Sequence, residues 1–309
     1  LYIVQPRHSC RVLTNKGEYI MPFDLTNELD VPYDLDFEVG FEPTRVKDKK
    51  YVINMQTGDP IAIIGEGATA RSHGDFYRSV WDVMSNDLPS SDLEGANVSF
   101  NSARNGGWTM LDITLPKIKT TINTPKHSTE IAQRLIAVHG IDGTASPATW
   151  FGAIDFFCTN GMITGDYDKV RKKNTSGFTL SGFQHELSKA KTDFNLQGKR
   201  LQTWADTDFT YVSVHKLLED ITKSERKAKK MYELYMQEAS VRGHNKFALY
   251  SAFTNYASYA DERNGFSLRN TGNDTQAVSM FSREQEVSKW ISTPQFLNTK
   301  AMGFEEALA

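Results

Sequence analysis

The stretch "NVSFNSARNGGWTMLDITLPKI", residues 97–118, places two strand-like runs on either side of Asn105-Gly106-Gly107. Asparagine and glycine adopt the positive-φ backbone that tight hairpin turns require. The pattern therefore predicts a β-hairpin turned at these residues, and the fold class of the chain follows from what surrounds it.

A second hairpin and a helix precede this stretch. "YVINMQTGDPIAIIGEG", residues 51–67, has two apolar runs around a Thr-Gly-Asp-Pro turn, which is typical of a hairpin. In "HGDFYRSVWDVMSND", residues 73–87, apolar side chains recur at helical spacing. This spacing predicts a helix with His73 or Asp75 near its N-terminus.

Residues 46–181 are expected to form an antiparallel β-rich domain with one or two helices. Within it, residues 119–140 begin extended and then fit either a short helix or a strand. The stretch "VHGIDGTASPATWFGAIDFFCTNGMITG", residues 138–165, predicts a tight turn that leads into a buried strand.

After Gly182 the apolar residues recur at spacings of three and four, which predicts helices. Helices are expected within residues 183–204, 209–240 and 245–265, and near residues 282–291. The third of these is closed by Asn264-Gly265. Residues 182–309 are thus expected to be a helical region that packs on the β-rich domain, and the predicted fold class is α+β.

Residues 1–45 are predicted to be an acidic, irregular lead-in. Between Lys16 and Arg45 there is no basic residue, while aspartate, glutamate and proline recur throughout the interval. Clusters of like charge are usually solvated surface. The segment 18–44 carries most of this acidic charge.

Bulk composition limits the classes of function. The chain has 309 residues and a formal net charge of −3, which argues against coating nucleic acid through net charge but is compatible with a local basic groove. Cys10 and Cys158 are too few for a disulfide framework. No apolar run could span a membrane and the first residues lack the plan of a secretory signal, so a cytoplasmic protein without a membrane partner is predicted.

Cys158, together with His139 and Asp142, raises the question of a Cys-His-Asp active site. Cys158 follows the apolar run "FGAIDFF", which favours a small hydrophobe at a strand end. "HGIDG" favours a tight turn in which the aspartate bonds its own backbone. The chain also lacks phosphate-loop, dinucleotide and paired metal-ligand motifs, so no catalytic residue, no cofactor and no metal ligand is predicted.

Positive charge is concentrated in "DKVRKKNTSGF", residues 168–178. There Lys169, Arg171, Lys172 and Lys173 follow the predicted strand directly. If the strand continues, alternate side chains form a row of cations on one face of the sheet. Such a row can meet the evenly spaced phosphates of a nucleic acid.

Further residues are expected to extend this binding surface. Lys199 and Arg200 in "QGKR", and the basic stretch 223–230, would add positive charge on neighbouring helices. Tyr167 and Phe178 lie beside the basic residues and could stack on the bases of a single strand.

Several stretches together resemble the phage/plasmid-like protein family, a domain-of-unknown-function family of phages, plasmids and integrated elements. They are "INMQTGDPIAIIGEG" with "FYRSVWDVM", "HGIDGTASPATWFGAIDFFCTNGMITGD", "KVRKKNTSGF" and "LYSAFTNYASYADERNG". The resemblance covers roughly residues 45–290. Its central block, residues 139–166, departs from the family pattern by one inserted residue in "HGIDGT". The resemblance implies an accessory factor of mobile-element DNA metabolism in the cytoplasm of a bacterial host cell.

The leading hypothesis is a non-enzymatic, homo-oligomeric protein that binds, and anneals, single-stranded DNA in phage or plasmid replication or recombination. The acidic segment 18–44 would cover the basic groove when no DNA is bound. One alternative is a self-assembling phage structural protein without nucleic-acid affinity, with aromatic residues of "FALYSAFTNYASYA", 247–260, facing a partner. A second alternative is a divalent-metal-dependent hydrolase or nuclease.

Overall fold

The computed structural model describes residues 21–22, 29–155, 161–162, 170–171, 181–263 and 276–302. Antiparallel strands are followed by helices, so the predicted α+β class is confirmed. The strands are β1 (Met21–Pro22), β2 (Val39–Pro43), β3 (Lys49–Asn54), β4 (Pro60–Gly65), β5 (Asn97–Ala103), β6 (Trp108–Asn123), β7 (Ser128–Gly140), β8 (Ala148–Asp155), β9 (Gly161–Met162) and β10 (Val170–Arg171). The helices are α1 (His73–Asp87), α2 (Ser90–Leu93), α3 (Ser181–Ala205), α4 (Val214–Thr222), α5 (Glu225–Arg242), α6 (Lys246–Arg263), α7 (Gln276–Ile291) and α8 (Pro294–Asn298).

The strands form two antiparallel sheets. The larger sheet has the order β1-β5-β6-β7-β8-β10, and β9 also pairs with β8. The smaller sheet has the order β2-β3-β4. Both predicted hairpins are confirmed, one as β3–β4 and the other as β5–β6. The turn between β5 and β6 places Asn105 at φ 54° and Gly106 at φ 77°, as its sequence predicts.

Residues 128–140, which fit either a helix or a strand, form the central strand β7. It pairs with β6 on one side and β8 on the other. Nearly every residue of β7 is buried, because helices cover both faces of this part of the sheet. A strand that is buried on both faces does not alternate between polar and apolar residues. The two-residue periodicity that identifies a half-buried strand is therefore absent from β7.

The single helix expected within residues 209–240 is wrong in one respect, because the structure has two helices there. α4 ends at Thr222, and Lys223 then adopts a left-handed conformation with φ 52°. The Ser224 side chain accepts a hydrogen bond from the backbone N–H of Lys227 and caps α5. Serine at this position supplies an N-cap, which explains why a new helix begins there.

The expectation of an irregular lead-in over residues 1–45 is wrong for residues 39–43, whereas residues 29–38 form neither helix nor strand. β2 lies inside the lead-in and pairs with β3 over five residues. Leu29, Val31 and Leu35 belong to the main core, and Phe37 packs in the smaller core of the β2-β3-β4 sheet. Apolar residues between the carboxylates therefore build residues 29–43 into the fold.

The main core joins one face of the large sheet to the helices. Leu111, Ile113 and Leu135 from the strands pack in the same cluster as Phe194 and Leu201 of α3. Because strands and helices share this cluster, the helical region packs directly on the sheet. The division of the chain into three domains stays a prediction.

Helix α6 lies inside this core. Phe247, Tyr250 and Phe253 are fully buried, and α6 contacts α3, α5 and α7. These three rings are therefore enclosed by neighbouring helices, whereas Tyr256 is partly exposed and the Tyr259 side chain lies outside the described residues, so a partner contact for part of this helix stays a prediction.

Candidate nucleic-acid interface

A cleft of about 250 Å³ lies between the second face of the large sheet and helix α7. Its aromatic lining consists of Trp108, Trp150 and Phe281. The ring of Phe281 packs edge-on against Trp150, with centroids 4.9 Å apart, and its centroid lies 6.2 Å from that of Trp108. The remaining lining residues are Arg104, Val138, Thr144, Ala145, Ser146, Ala148, Val278, Ser282 and Gln285. Trp108 and Trp150 are only 4% and 7% exposed and belong to a buried cluster, so the open surface of the cleft combines the half-buried ring of Phe281 with hydroxyl, amide and guanidinium groups.

The strand register explains how distant residues meet in this cleft. Residues that are paired across antiparallel strands, or two apart along one strand, share a face of the sheet. Met110 pairs with Val138, and Val138 pairs with Ala148. Trp108 and Trp150 each lie two residues further along, so both indoles reach the same face. The small side chain of Ala148 leaves space between the larger ones.

A buried ion network holds α7 against this face. Arg134 of β7 donates to both carboxylate oxygens of Asp112 in β6 and to Glu284 Oε1 of α7, the last at 3.0 Å. Burial raises the pKa of Glu284, while the neighbouring Arg134 opposes that rise. The position of α7, and with it the width of the cleft, is fixed by charged groups that cannot separate without leaving a charge buried.

The "HGIDGTAS" stretch contributes Thr144, Ala145 and Ser146 to the rim of the cleft. Asp142 Oδ1 accepts hydrogen bonds from the backbone N–H of Thr144 at 2.9 Å and from its hydroxyl at 2.6 Å. Asp142 Oδ2 accepts from Arg104 at 3.3 Å. The backbone-bonded aspartate predicted for this turn is confirmed. A Cβ at Gly140 would lie 2.8 Å from the Ala145 carbonyl oxygen, so glycine is needed for the close approach.

His139 does not face the cleft but a buried hydrogen-bond chain on the opposite side of the sheet. His73 Nε2 donates to the carbonyl of Gly106 at 2.7 Å, so its Nδ1 is an acceptor. His73 Nδ1 lies 2.8 Å from His139 Nδ1 and 2.8 Å from the Thr109 hydroxyl oxygen, each of which can donate to it. Tyr77 and Thr109 extend the chain, with hydroxyl oxygens 2.6 Å apart. The chain attaches the β5–β6 turn, which carries Arg104, to helix α1.

Burial sets the protonation of both histidines. It lowers the pKa of His73 to about 4 and lowers that of His139 well below its usual value. Both rings are therefore neutral near pH 7. His139 Nε2 has no hydrogen-bond partner among the residues that the structure describes, so the pair is a buried structural element.

The strand β10 brings Val170 and Arg171, two residues of the predicted basic segment, to the edge of the cleft. Its Arg171 pairs with Ala148 of β8, and Val170 pairs with Thr149. Ala148 itself lines the cleft, so the backbone of Arg171 runs directly alongside it. The remaining predicted contacts of this segment, namely Tyr167, Lys169, Lys172, Lys173 and Phe178, lie outside the described residues, as do the Arg171 side chain and Cys158.

Lys199 and Arg200 lie elsewhere. They belong to α3, which packs in the main core on the opposite face of the sheet from the cleft. Lys199 is exposed, and Arg200 lies over the ring of Trp204 at 5.4 Å. In the basic stretch 223–230, Lys227 is paired with Glu286 of α7. A role for these residues in DNA binding stays a prediction.

The aromatic residues of the cleft were missed in the sequence. The only indication in the sequence was that Trp108 and Trp150 each lie near the start of a strand-like run. Whether the two side chains share a face of the sheet depends on the register of β6, β7 and β8. Over the described part of the chain, no group of three or more His, Cys, Asp or Glu side chains is arranged to hold a metal ion. In the same residues, no helix has both the length and the apolar character needed to cross a bilayer.

Comparison with known proteins places the chain in a family without an assigned function. Residues 90–285, more than half of the chain, match the family described as "Domain of unknown function (DUF932)". No curated protein and no solved structure matches the chain. The matched region contains residues 139–166 and 249–265, two of the stretches on which the resemblance to a domain-of-unknown-function family rests. The chain therefore belongs to the DUF932 family.

Proposed function

We propose that this protein binds single-stranded DNA without acting on it as an enzyme. The observation that carries the proposal is the pairing of Arg171 with Ala148, which brings one residue of the lysine- and arginine-rich segment alongside a cleft with an aromatic lining. Cations beside aromatic rings are the two components that single-strand binding requires.

The cleft favours a single strand over a duplex. A volume of about 250 Å³ suits one unpaired base, not a base pair with its two backbones. Aromatic rings recognise the faces of unstacked bases, and these faces are hidden inside a duplex. Arg104 at the rim, together with the segment around Arg171, would contact the phosphates on either side of the bound base.

The anchoring of the cleft supports binding without a large rearrangement. Arg134 holds α7 to the sheet, and the histidine chain holds the turn that carries Arg104. A site formed in advance loses less conformational entropy when a ligand binds. The walls of the cleft are already ordered before DNA binds, so little binding free energy is spent on ordering them.

The biological setting follows from the resemblance to the phage/plasmid-like family. We propose a cytoplasmic role in phage or plasmid replication or recombination, with several copies of the chain along one strand. A row of copies that holds bases exposed would assist the annealing of complementary strands.

The test is a fluorescence-anisotropy titration of labelled single- and double-stranded oligonucleotides across a salt series. Single strands should bind more tightly than duplexes of the same length, with log K falling linearly with log salt by about 0.7 per phosphate contact. Arg171→Ala should lower this slope, whereas Lys216→Ala, on an exposed site of α4, should not. Equal affinity for duplex, or no binding at low salt, would overturn the proposal.

A further inference from the structure

The tip of the β2–β3 hairpin carries a cluster of positive charge that the proposed site does not include. We call residues 44–50 the hairpin tip. Its cations are Arg45, Lys47, Lys49 and Lys50. In the described residues, none of these four side chains takes part in an ion pair, although Asp48 stands between them in the sequence. By contrast, Lys117 and Lys119 of β6 are paired with glutamates.

Backbone contacts fix the position of the hairpin tip. The Thr44 hydroxyl accepts from the backbone N–H of Val46 at 2.8 Å, which tightens the turn. The backbone N–H of Glu66 donates to the carbonyl of Asp48 at 3.0 Å, so the start of β3 is attached to the end of β4. The cations therefore project from a well-supported turn, which lowers the entropy lost when they engage a ligand.

An exposed aromatic ring accompanies the cations. Phe41 is 41% exposed, and Lys50 Nζ lies 4.1 Å from the centre of its ring. Lys50 thus covers one face of a partly exposed ring, so a positive charge and an aromatic group lie together at the hairpin tip.

The small sheet places the hairpin tip beside the rim of the cleft. Lys50 pairs with Ile64 across β3 and β4. Ile64 packs in one cluster with Ile141, and a Cβ at Gly143 would lie 3.5 Å from it. Thr144, the next residue, lines the cleft. One strand and one turn therefore separate Lys50 from the proposed base-binding site.

We propose that the hairpin tip is a second phosphate-contacting surface, which binds the same DNA strand where it leaves the cleft across the rim. This inference rests on the proposed function and extends it, because it gives the path of the strand from β10, over the cleft, to the β2–β3 hairpin. The ligand recognised at the tip is the sugar-phosphate backbone, with Phe41 available to one base.

The test compares the triple variant Arg45→Ala/Lys47→Ala/Lys49→Ala with a matched triple variant, Lys126→Ala/Lys216→Ala/Lys300→Ala, which removes equal charge from exposed positions outside every predicted binding surface. Each is titrated with a short oligonucleotide that fills only the cleft and with a longer one. For the longer strand, the hairpin variant should lower the salt slope by about 2, that is about 0.7 for each of three contacts. Its slope for the short strand, and both slopes of the matched variant, should equal those of the wild type.

The outcomes separate the two proposals. A hairpin variant with an unchanged slope for the longer strand overturns the second surface, and the proposed function stands if Arg171→Ala still lowers the slope. Wild-type protein that binds no oligonucleotide overturns both. If the hairpin variant loses binding to anionic lipid vesicles but keeps its DNA affinity, the tip recognises a membrane surface and the inference is wrong. Circular dichroism of each variant establishes that the fold is retained.

Discussion

His73 and His139 lie in contact beneath the β5–β6 turn, where protonation of either ring would place a charge in the core. The lone pair of His73 Nδ1 already serves as the acceptor of the buried chain, within 2.8 Å of both His139 Nδ1 and the Thr109 hydroxyl. A second proton on His73 would occupy that lone pair and remove the acceptor. Burial and geometry therefore act together to keep the pair neutral.

Acid should unfold the protein through this pair. A pKa lowered in the folded state means that the unfolded chain binds more protons, so the stability present above pH 6.5 is lost as the pH falls toward about 4. His73 alone should lower the free energy of unfolding by about 3 kcal/mol over this range, and His139 adds to the loss. Urea unfolding followed by tryptophan fluorescence measures the effect.

Two variants serve as controls for the acid effect. His139→Gln removes one titrating group from the core, so its stability should depend less steeply on pH, whatever its stability at neutral pH. Met236→Gln changes an exposed residue of α5 that carries no titratable group and should keep the wild-type dependence. The role assigned to the pair is contradicted by equal dependence in all three proteins.

Phe281 tests base stacking separately from phosphate contacts. Stacking on an aromatic ring contributes about 1–3 kcal/mol per base, so Phe281→Ala should weaken single-strand binding by roughly tenfold, equivalent to about 1.4 kcal/mol. The salt slope should stay the same because no phosphate contact is lost. Tyr211→Ala, at a residue that is 45% exposed outside the cleft, is the matched control. A changed slope with unchanged low-salt affinity would refute stacking at this ring.

At the level of elements, α7 carries two ion pairs that differ in burial. Glu284 is paired with Arg134 in the core, with side chains 2% and 5% exposed, whereas Glu286 is paired with Lys227 at 35% and 42%. Glu284→Ala leaves Arg134 buried with one partner fewer and should destabilise the protein by about 3 kcal/mol. Lys227→Ala should cost less than about 1 kcal/mol, since solvent screens that pair.

Urea unfolding of the two α7 variants measures this difference, and DNA affinity measures its consequence for the cleft. Glu284→Ala loosens the helix that forms one wall, so single-strand binding should weaken together with stability. Glu284→Gln retains the size of the side chain and an oxygen that accepts from Arg134, so it should lie between Glu284→Ala and the wild type. Similar stability losses at the two pairs would contradict the anchoring role of Glu284.

For the whole molecule, local patterns were predictable from the sequence and long-range assembly was not. The hairpin turns at residues 57–60 and 105–107 contain glycine and asparagine or aspartate, whose conformational preferences act within a few residues. The cleft depends on the register of β6, β7 and β8, which brings Trp108 and Trp150 together across about 40 residues of chain. The hairpin tip at residues 44–50 was also overlooked, because its cations gain significance only from their position beside the cleft.

The acidic segment and the basic surfaces belong to one charge arrangement. Deletion of residues 18–44 would also remove β2 and the core residues Leu29, Val31 and Leu35, so it would test stability rather than masking. Substitution of exposed carboxylates leaves these contacts intact. Asp30, Asp34 and Glu38 are exposed and suitable for this purpose.

If the acidic segment competes with DNA for the basic surfaces, Asp30→Asn/Asp34→Asn/Glu38→Gln should bind single-stranded DNA more tightly than the wild type at low salt. The gain should shrink as salt rises, because dissolved ions screen the repulsion between exposed carboxylates and phosphates. At 0.1 M salt, exposed charges more than about 10 Å apart are largely screened from each other. The matched variant Asp220→Asn/Glu225→Gln/Glu233→Gln makes the same change in net charge on α4 and α5. If both variants tighten binding equally, overall charge accounts for the effect, and residues 30–38 do not mask the site. Anisotropy titrations at two salt concentrations measure the affinity of both variants. If only Asp30→Asn/Asp34→Asn/Glu38→Gln gains affinity, the acidic residues 30–38 must lie close to the bound DNA.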